Sequence, residues 1–447
     1  MKFANFKEVF DYLWQDKVYY PEKRQERMAF ALDYFNHPER DLPVIHLTGT
    51  NGKGSTLAYL RDLLLSQGLK VGTFTSPHIV TCTERLSLNG QNISDQAMLA
   101  LFNRLALLME ELESRQLGPL VEFELYTIMM LLYFQEVQPD VCLVEVGIGG
   151  RDDATNVVDG QIAIITSIGL DHADRLGSTV ESVAQIKAAI IKEGAKLVLG
   201  QVPDTTLPII SAYAQGQNAS IWHWGQDFQA AQVSLLGQKG AEFTYQSRLS
   251  RQESCHIQML GRHQVHNACL ALQAFELWMK DMGQAIDWDQ AKTALSRTHW
   301  LARMEKLSQD PLIYIDGAHN MHGLQALRQL IDDHFADYQI HLLYAGISTK
   351  DHHEQIPYLL TFPLASLTLT SFSHVKAMTQ TDFESILQDL PAHDQASIAW
   401  QGDWIQYLKN YLTQSQSGPS RQLLLITGSL YFVSEVREYL TQEKAEY

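Results

Sequence analysis

Cysteine is scarce in this chain, with 4 among 447 residues, and Cys82, Cys142, Cys255 and Cys269 form no C-x-x-C pair. Cys142 lies inside an apolar, strand-like run, so the thiols read as reduced and structural, which fits a cytoplasmic protein. Long hydrophobic runs are also missing. The longest near-continuous one, Leu125 to Phe134, sits between Glu124 and Gln135 and falls short of the ~20 apolar residues that span a bilayer. The N-terminal MKFANFKEVFDYLW mixes charge with its apolar residues and offers no secretory hydrophobic stretch. Positive charge is in deficit as well. Lys plus Arg number 34 against 51 Asp plus Glu, a net −17, which argues against general affinity for nucleic acid or anionic membrane. An anionic ligand therefore has to meet a local basic pocket.

What is present is an ordinary globular composition, 45% hydrophobic and 19% charged, in a chain long enough for two or three domains of about 150 residues. Short β-branched runs alternate with amphipathic helical stretches: Val44–Thr48, Val71–Thr75, Val141–Val146, Ile162–Ser167 and Lys196–Leu199. That rhythm predicts an α/β fold built on a doubly wound parallel sheet. Residues 201–258 break it with short alternating segments, Ser220–Trp224 and Glu242–Gln246, which predict a small antiparallel addition. From about residue 311 the rhythm restarts with Leu312–Ile315, His341–Tyr344, Leu364–Thr370 and Leu423–Thr427 as strands. A first domain over 1–297 and a smaller α/β domain over 298–447 are expected, with a helical run over 266–296 before the seam. TQSQSGPS at 413–420 reads as an exposed loop.

After the strand-like VIHLT comes Gly49-Thr-Asn51-Gly52-Lys53-Gly54-Ser55-Thr56, followed by the helix-like LAYLRDLLLSQG. A strand, a glycine loop and a helix N-terminus turn backbone N–H groups and the positive helix end toward a phosphate. Lys53, expected on an exposed loop, adds a mobile charge for the terminal phosphates. The glycine between the lysine and the hydroxyl residues departs from G-x-x-x-x-G-K-[ST], which argues against a switch GTPase.

His46-Leu-Thr-Gly-Thr-Asn-Gly-Lys-Gly-Ser55 resembles the nucleotide loop of the folylpolyglutamate synthase and dihydrofolate synthase family, within the Mur ligase superfamily. Further similarities follow in order along nearly the whole chain: Thr75-Ser-Pro-His78, Thr83-Glu-Arg85, Glu122-Phe-Glu124, Glu145-Val-Gly-Ile-Gly-Gly-Arg151, Asp153-Ala-Thr-Asn156, Leu170-Asp-His172, His263-Gln264 with Asn267, Asp316-Gly-Ala-His-Asn320 and Thr427-Gly-Ser429. The resemblance implies a P-loop-type ATPase domain followed by a Rossmann-like domain. It also implies an enzyme with small-molecule substrates, acting without nucleic acid or membrane, as a monomer.

The polar residues point the same way. In VCLVEVG, Glu145 shares a face with Val141 and Leu143 and closes an apolar strand. Ser76, His172 and the phosphate loop each follow a strand too, and open α/β sheets bind ligands at that edge. A magnesium ion held by Ser76, Glu145, His172 and ATP oxygens is expected, since this cation needs few protein ligands. The residues alone leave a capping carboxylate, a Ser-Pro turn and a surface histidine open.

In TVESVAQIKAAIIKEG, positions 180, 183, 187, 190 and 191 follow helical spacing, and only Lys187 is not apolar. A buried amine must pair, lose its proton or be modified. The alternative is a lysine snorkelling at the helix edge. The resemblance implies carbamylation of Lys187, with Ile186 and Ala189 departing from the family pattern around it.

By resemblance, Arg303 and Asp316 contact the nucleotide, Asn267 reaches the base and His319 lies near the reacting groups. Leu301-Ala302-Arg303 stands where Pro-Gly-Arg is usual. His322, His352 and His353 read as surface residues. For folate, the resemblance implies the loop Ser76–Arg85, Phe123 stacking on a flat ring (or packing in the core), and Glu124, Asp152, Asp153 and Ala154 on the pterin side.

The expected reaction is ATP-dependent addition of L-glutamate to tetrahydrofolate through an acyl phosphate, with closure of the two domains excluding water. Dihydropteroate as an acceptor stays open. The rivals are a cell-wall precursor ligase of the same superfamily and a non-catalytic nucleotide-binding regulator. Glu145, His172 and Lys187 together disfavour the regulator.

Overall fold

The computed structural model describes residues 2–13, 20–249, 252–347, 352–415 and 421–443. They cluster into two compact units, one of residues 1–231, 245–253 and 266–295 and the other of 232–244, 254–265 and 296–447. Among the described residues no helix is long and apolar enough to cross a membrane.

The first unit is built on eight strands: β1 Val44–Thr48, β2 Val71–Phe74, β3 Leu86–Leu88, β4 Gln91–Asn92, β5 Val141–Glu145, β6 Gly160–Ile165, β7 Lys196–Leu199 and β8 Ser220–His223. Their order is β4-β3-β2-β5-β1-β6-β7-β8. The run from β2 to β8 is parallel, while β3 and β4 are antiparallel additions at one edge. β1 and β5 are buried at every residue, which is why they read as continuous apolar runs instead of alternating. One face packs on Phe102, Tyr126, Met130 and their neighbours, the other on Val183, Ile190 and Ile210.

Segment Ser220–Trp224 departs from expectation. It supplies β8, which continues the parallel sheet beside β7 as its edge strand, with none of its residues fully buried. The three-stranded addition begins later, with β9 Phe228–Leu235, β10 Ala241–Ser247 and β11 Glu253–Ile257 in the order β11-β10-β9. The helical run is also two helices, Arg262–Asp281 and Trp288–Arg297, parted near Gly283, whose φ is +66°.

The helices that carry the site are α1 Lys53–Ser66, α2 Glu122–Val137, α3 Val180–Ala188, α4 Arg262–Asp281 and, in the second unit, α5 Met321–His334. The second unit's sheet has the order β12 Glu305–Gln309, β13 Leu312–Asp316, β17 Gln422–Gly428, β14 Gln339–Ala345, β15 Leu364–Ser371, β16 Ile398–Asp403. All but β12 run parallel, around a core that includes Tyr314, Leu327, Leu342 and Leu425. The loop expected at 413–420 begins inside a helix, Trp404–Ser415; residues 416–420 lie outside the described residues.

Candidate active site

The phosphate loop runs from the end of β1 into α1. Gly52 precedes the helix at φ +89°, a conformation open to glycine, and a Cβ there would come within 2.5 Å of Asn267 Oδ1. The end of β6 anchors the loop. The hydroxyls of Thr166 and Ser167 both donate to the Asn51 carbonyl (2.6 and 3.0 Å), and the Asn51 N–H donates to Ser167 Oγ (3.0 Å). The Thr50 hydroxyl donates to Gly169 O at 2.9 Å. Lys53 is the first residue of α1 rather than part of an exposed loop; it is partly buried, and Nζ donates to Gly49 O at 3.0 Å. Gly54, Ser55 and Thr56 lie buried in the first turn. Asn267, expected at the base, has its side chain against Gly52.

Glu145 ends β5, next to β1, and is 4% exposed. The Ser76 N–H, just past β2, donates to Glu145 Oε2 at 3.1 Å, so two oxygen-bearing residues meet at neighbouring strand ends. His172 is exposed on the loop after β6, at φ +50°. Among the described residues no group of three or more His, Cys, Asp or Glu is placed to hold a metal ion. The oxygen donors suit a hard cation that takes its remaining ligands from phosphate and water.

Lys187 is 3% exposed on α3. Gly150 packs against this helix, for a Cβ there would fall 3.2 Å from Lys187 Cα, and the Arg151 N–H donates to Ile186 O at 3.0 Å. The amine's pKa falls to about 7 because burial disfavours the ammonium and Lys53 repels it, with Asp171 and Asp153 opposing. The helical stripe is shorter than its spacing implies: α3 ends at Ala188, and Ile190 and Ile191 are buried in the turns beyond.

The expected folate residues divide. Glu124 is fully buried, and its two oxygens accept from Arg27 at 2.8 and 2.9 Å. It also accepts from the Val121 N–H at the start of α2 (3.1 Å), so it braces the helix and offers no surface to a ligand. Asp153 is likewise committed: it accepts from the Ile148 N–H, the Thr155 N–H and the Thr155 hydroxyl at 3.0, 3.0 and 2.5 Å. Burial raises its pKa. Ala154 is 2% exposed, which leaves Asp152, exposed, as the open member of that trio. Phe123 is partly buried, its ring 5.7 Å from Phe74 and close over Gly147. Arg85 donates to His78 Nδ1 (3.1 Å) and Glu122 (3.2 Å) and lies 4.7 Å from the Tyr126 ring centroid. Glu84 shapes the loop between Ser76 and Arg85 by accepting from the N–H groups of Ile79, Val80 and Thr81 at 2.7 to 2.8 Å.

In the second unit, Asp316 ends β13 and accepts from the Met304 and Ala318 N–H groups, both at 2.9 Å. Burial raises its pKa while Arg303 opposes that. Arg303 folds back so that Nη1 donates to Ala302 O at 3.0 Å. Ala302 takes φ +54°, so the left-handed turn persists here without a glycine. His319 Nδ1 lies 2.8 Å from Gly317 O. His352 is not a surface residue: it is 6% exposed, with Nε2 2.8 Å from Ile347 O.

Four residues to which the sequence assigns no role support the site: Arg27, Thr166, Ser167 and His46. His46 is fully buried in β1, its pKa held down near about 3 by burial and Lys192. Its Nε2 lies 3.0 Å from Thr155 Oγ1; since that hydroxyl gives its proton to Asp153, Nε2–H is the donor. The signal for Thr166 and Ser167 is two hydroxyls closing the apolar run Ile162–Ile165.

Two domain families match the chain, the Mur ligase middle domain over residues 121–275 and the dihydrofolate synthetase C-terminal domain over 300–440. The dihydrofolate synthase/folylpolyglutamate synthase of Bacillus subtilis (strain 168) is 35% identical over 419 residues, 93% of this chain and 94% of that protein. The folylpolyglutamate synthase of Lacticaseibacillus casei is 30% identical, over 94% of this chain and 95% of its own. Among solved structures, Mycobacterium tuberculosis folylpolyglutamate synthase complexed with ADP and AMPPCP superposes with a TM-score of 0.85 at 26% identity, covering 97% of this chain and 98% of that one. An FPGS–AMPPCP–folate complex gives 0.82 at 28% identity, covering 98% and 100%.

Proposed function

The chain belongs to the dihydrofolate synthase/folylpolyglutamate synthase family and is an ATP-dependent ligase that joins glutamate to a folate; we propose that it does so through an acyl phosphate formed at the phosphate loop. What supports this route is that one unit holds the loop, a buried carboxylate, Glu145, on the strand beside β1, and a buried amine, Lys187, which feels the charge of Lys53. A carboxylate is a poor acyl donor. Its oxygen attacks the γ-phosphorus of ATP and ADP leaves, giving the mixed anhydride. The glutamate amine then attacks the carbonyl carbon, phosphate departs and the amine loses a proton. Lys53, at the start of α1, offsets the negative charge that spreads during transfer, together with the loop N–H groups.

We assign Ser76, Glu145 and His172 to magnesium, with ATP oxygens; when bound, that ion supplies charge neutralisation at the phosphates. Lys187 is assigned a carbamate, since an amine with a pKa of about 7 is largely neutral near physiological pH. Its nitrogen adds to the carbon of CO2 and releases a proton, leaving an anion in place of a cation. Arg85, Phe123 and Asp152 are assigned to the folate, and Asn51 to Thr56, Asn267, Arg303 and Asp316 to the nucleotide, with His319 near the reacting groups. Residues 1–297 and 298–447 are taken as the ATP-binding and ligase portions. All four cysteines are free thiols, which supports a cytoplasmic location.

The test is ADP release measured with folate and glutamate supplied separately and together. Sustained turnover only with both supports the ligase route. If the substrate carboxyl carries heavy oxygen, one label appears in the phosphate released; unlabelled phosphate refutes the acyl phosphate.

A further inference from the structure

A cavity of about 330 Å³ opens at the C-terminal end of α4, lined by Leu249, Glu276, Lys280, Gln284, Ile286 and Trp288. It is separate from the phosphate loop. Asn267, which meets that loop, precedes Glu276 on the same helix by a distance of roughly 13 Å at 1.5 Å per residue.

Its charged groups have opposite signs and sit a turn apart. Glu276 is 3% exposed, and its Oε2 accepts from the Tyr245 hydroxyl at 2.8 Å. Lys280, exposed, follows on the same helical face. Gln273, one turn earlier and fully buried, shares the Tyr245 hydroxyl with Glu276, and one end of its amide lacks a hydrogen-bond partner. Leu249, Ile286 and the Trp288 indole make the remaining wall. Asp287 fixes that wall: its N–H donates to Gln67 Oε1 (2.8 Å), and its carbonyl accepts from Gln67 Nε2 (3.2 Å). These bonds tie the segment that carries Ile286 and Trp288 to α1.

A carboxylate shielded from water, a mobile ammonium and an indole plane can fix an amino acid by its amine, its carboxylate and its side chain in turn. We propose that this cavity binds a free α-amino acid with an apolar side chain, ammonium on Glu276, carboxylate on Lys280 and side chain against Trp288, Leu249 and Ile286. Glutamate is a poor occupant, because its second carboxylate would lose water against that apolar wall without a partner. The site is independent of the one at which glutamate is joined.

Calorimetric titration of the full chain with L-leucine and L-methionine, beside L-glutamate and n-butylamine, tests this. One saturable site for either apolar amino acid, undisturbed by L-glutamate, is the expected result. Lys280→Met, at an exposed position that leaves folding alone, and Trp288→Ala should each weaken binding at least about tenfold with ligase turnover unchanged. No saturable binding of either amino acid at about 10 mM overturns the proposal. So does butylamine binding as tightly as the amino acids with no response to Lys280→Met, which would define a site for cations alone.

Discussion

Lys187→Met replaces a buried amine with an apolar side chain of similar length, and the structure fixes what should follow. In the unfolded chain the amine has its ordinary pKa of 10.5, and in the folded protein about 7. At about 1.36 kcal/mol per pH unit, that difference is a cost of about 5 kcal/mol to the wild-type fold, present in full below about pH 7. Between about pH 7 and 10.5 the unfolded chain binds a proton that the folded chain has released, so wild-type stability rises with pH through this window and the cost vanishes above it. Met carries no such penalty. The variant is therefore expected to exceed the wild type by about 5 kcal/mol at pH 6 and about 3 kcal/mol at pH 8.5, while losing ligase activity. Urea midpoints of the transition that reports the first unit, measured in CO2-free buffer across this range, give the comparison. A stability difference that stays constant with pH would refute a depressed amine. Restoring bicarbonate should raise wild-type turnover and leave the variant unchanged.

Lys53→Ala should abolish amide formation with little change in melting temperature, because the fold loses only one partly exposed hydrogen bond to Gly49, worth about 1 kcal/mol; retained turnover would remove the phosphate-loop assignment. Gly52→Ala should weaken ATP binding more than about tenfold, since the left-handed backbone resists a side chain and Asn267 must move; equilibrium binding of a fluorescent ATP analogue checks it. Arg27→Ala leaves Glu124 buried without its main partner and should cost about 3–5 kcal/mol. In a denaturation series, a loss under about 1 kcal/mol would show that the pair is not the brace described here.

Much of this was legible in the chain because parallel strands buried on both faces must be apolar throughout, and polar residues then stand out where they end. Val44–Thr48 and Lys196–Leu199 were bounded correctly for that reason, and Glu145 was visible as the one charge closing its strand. Edge strands give a weaker signal. Ser220–His223 has no fully buried residue, and its pairing with β7 is set by the crossover through the helix Leu207–Gly216, which periodicity does not report. The hairpin β3–β4 does carry a strong turn signal, Asn89-Gly90, both at positive φ, but its strands of three and two residues are too short to show a period. The partners of Glu124 and Asp153 are not legible for two reasons: local context does not say that an arginine distant in sequence has claimed Glu124, and the amides that Asp153 accepts from, two and five residues away, lie in a loop whose course periodicity does not report. The partner of Glu124, Arg27, is 97 residues away.

The two hydroxyls on the Asn51 carbonyl decide the polarity of a peptide plane. A trans amide is rigid, so its C=O and N–H point in opposite directions. With the oxygen of the Asn51–Gly52 unit tethered to Thr166 and Ser167, the Gly52 N–H faces away from β6, whatever the rest of the loop does. The orientation of that donor is thus dictated by a strand more than 100 residues downstream, and glycine merely permits it. Transplanting Gly49–Thr56 onto another strand-helix junction would carry the flexible segment without the element that aims it, and such a graft should lose anion affinity until a hydroxyl pair is rebuilt beneath the loop.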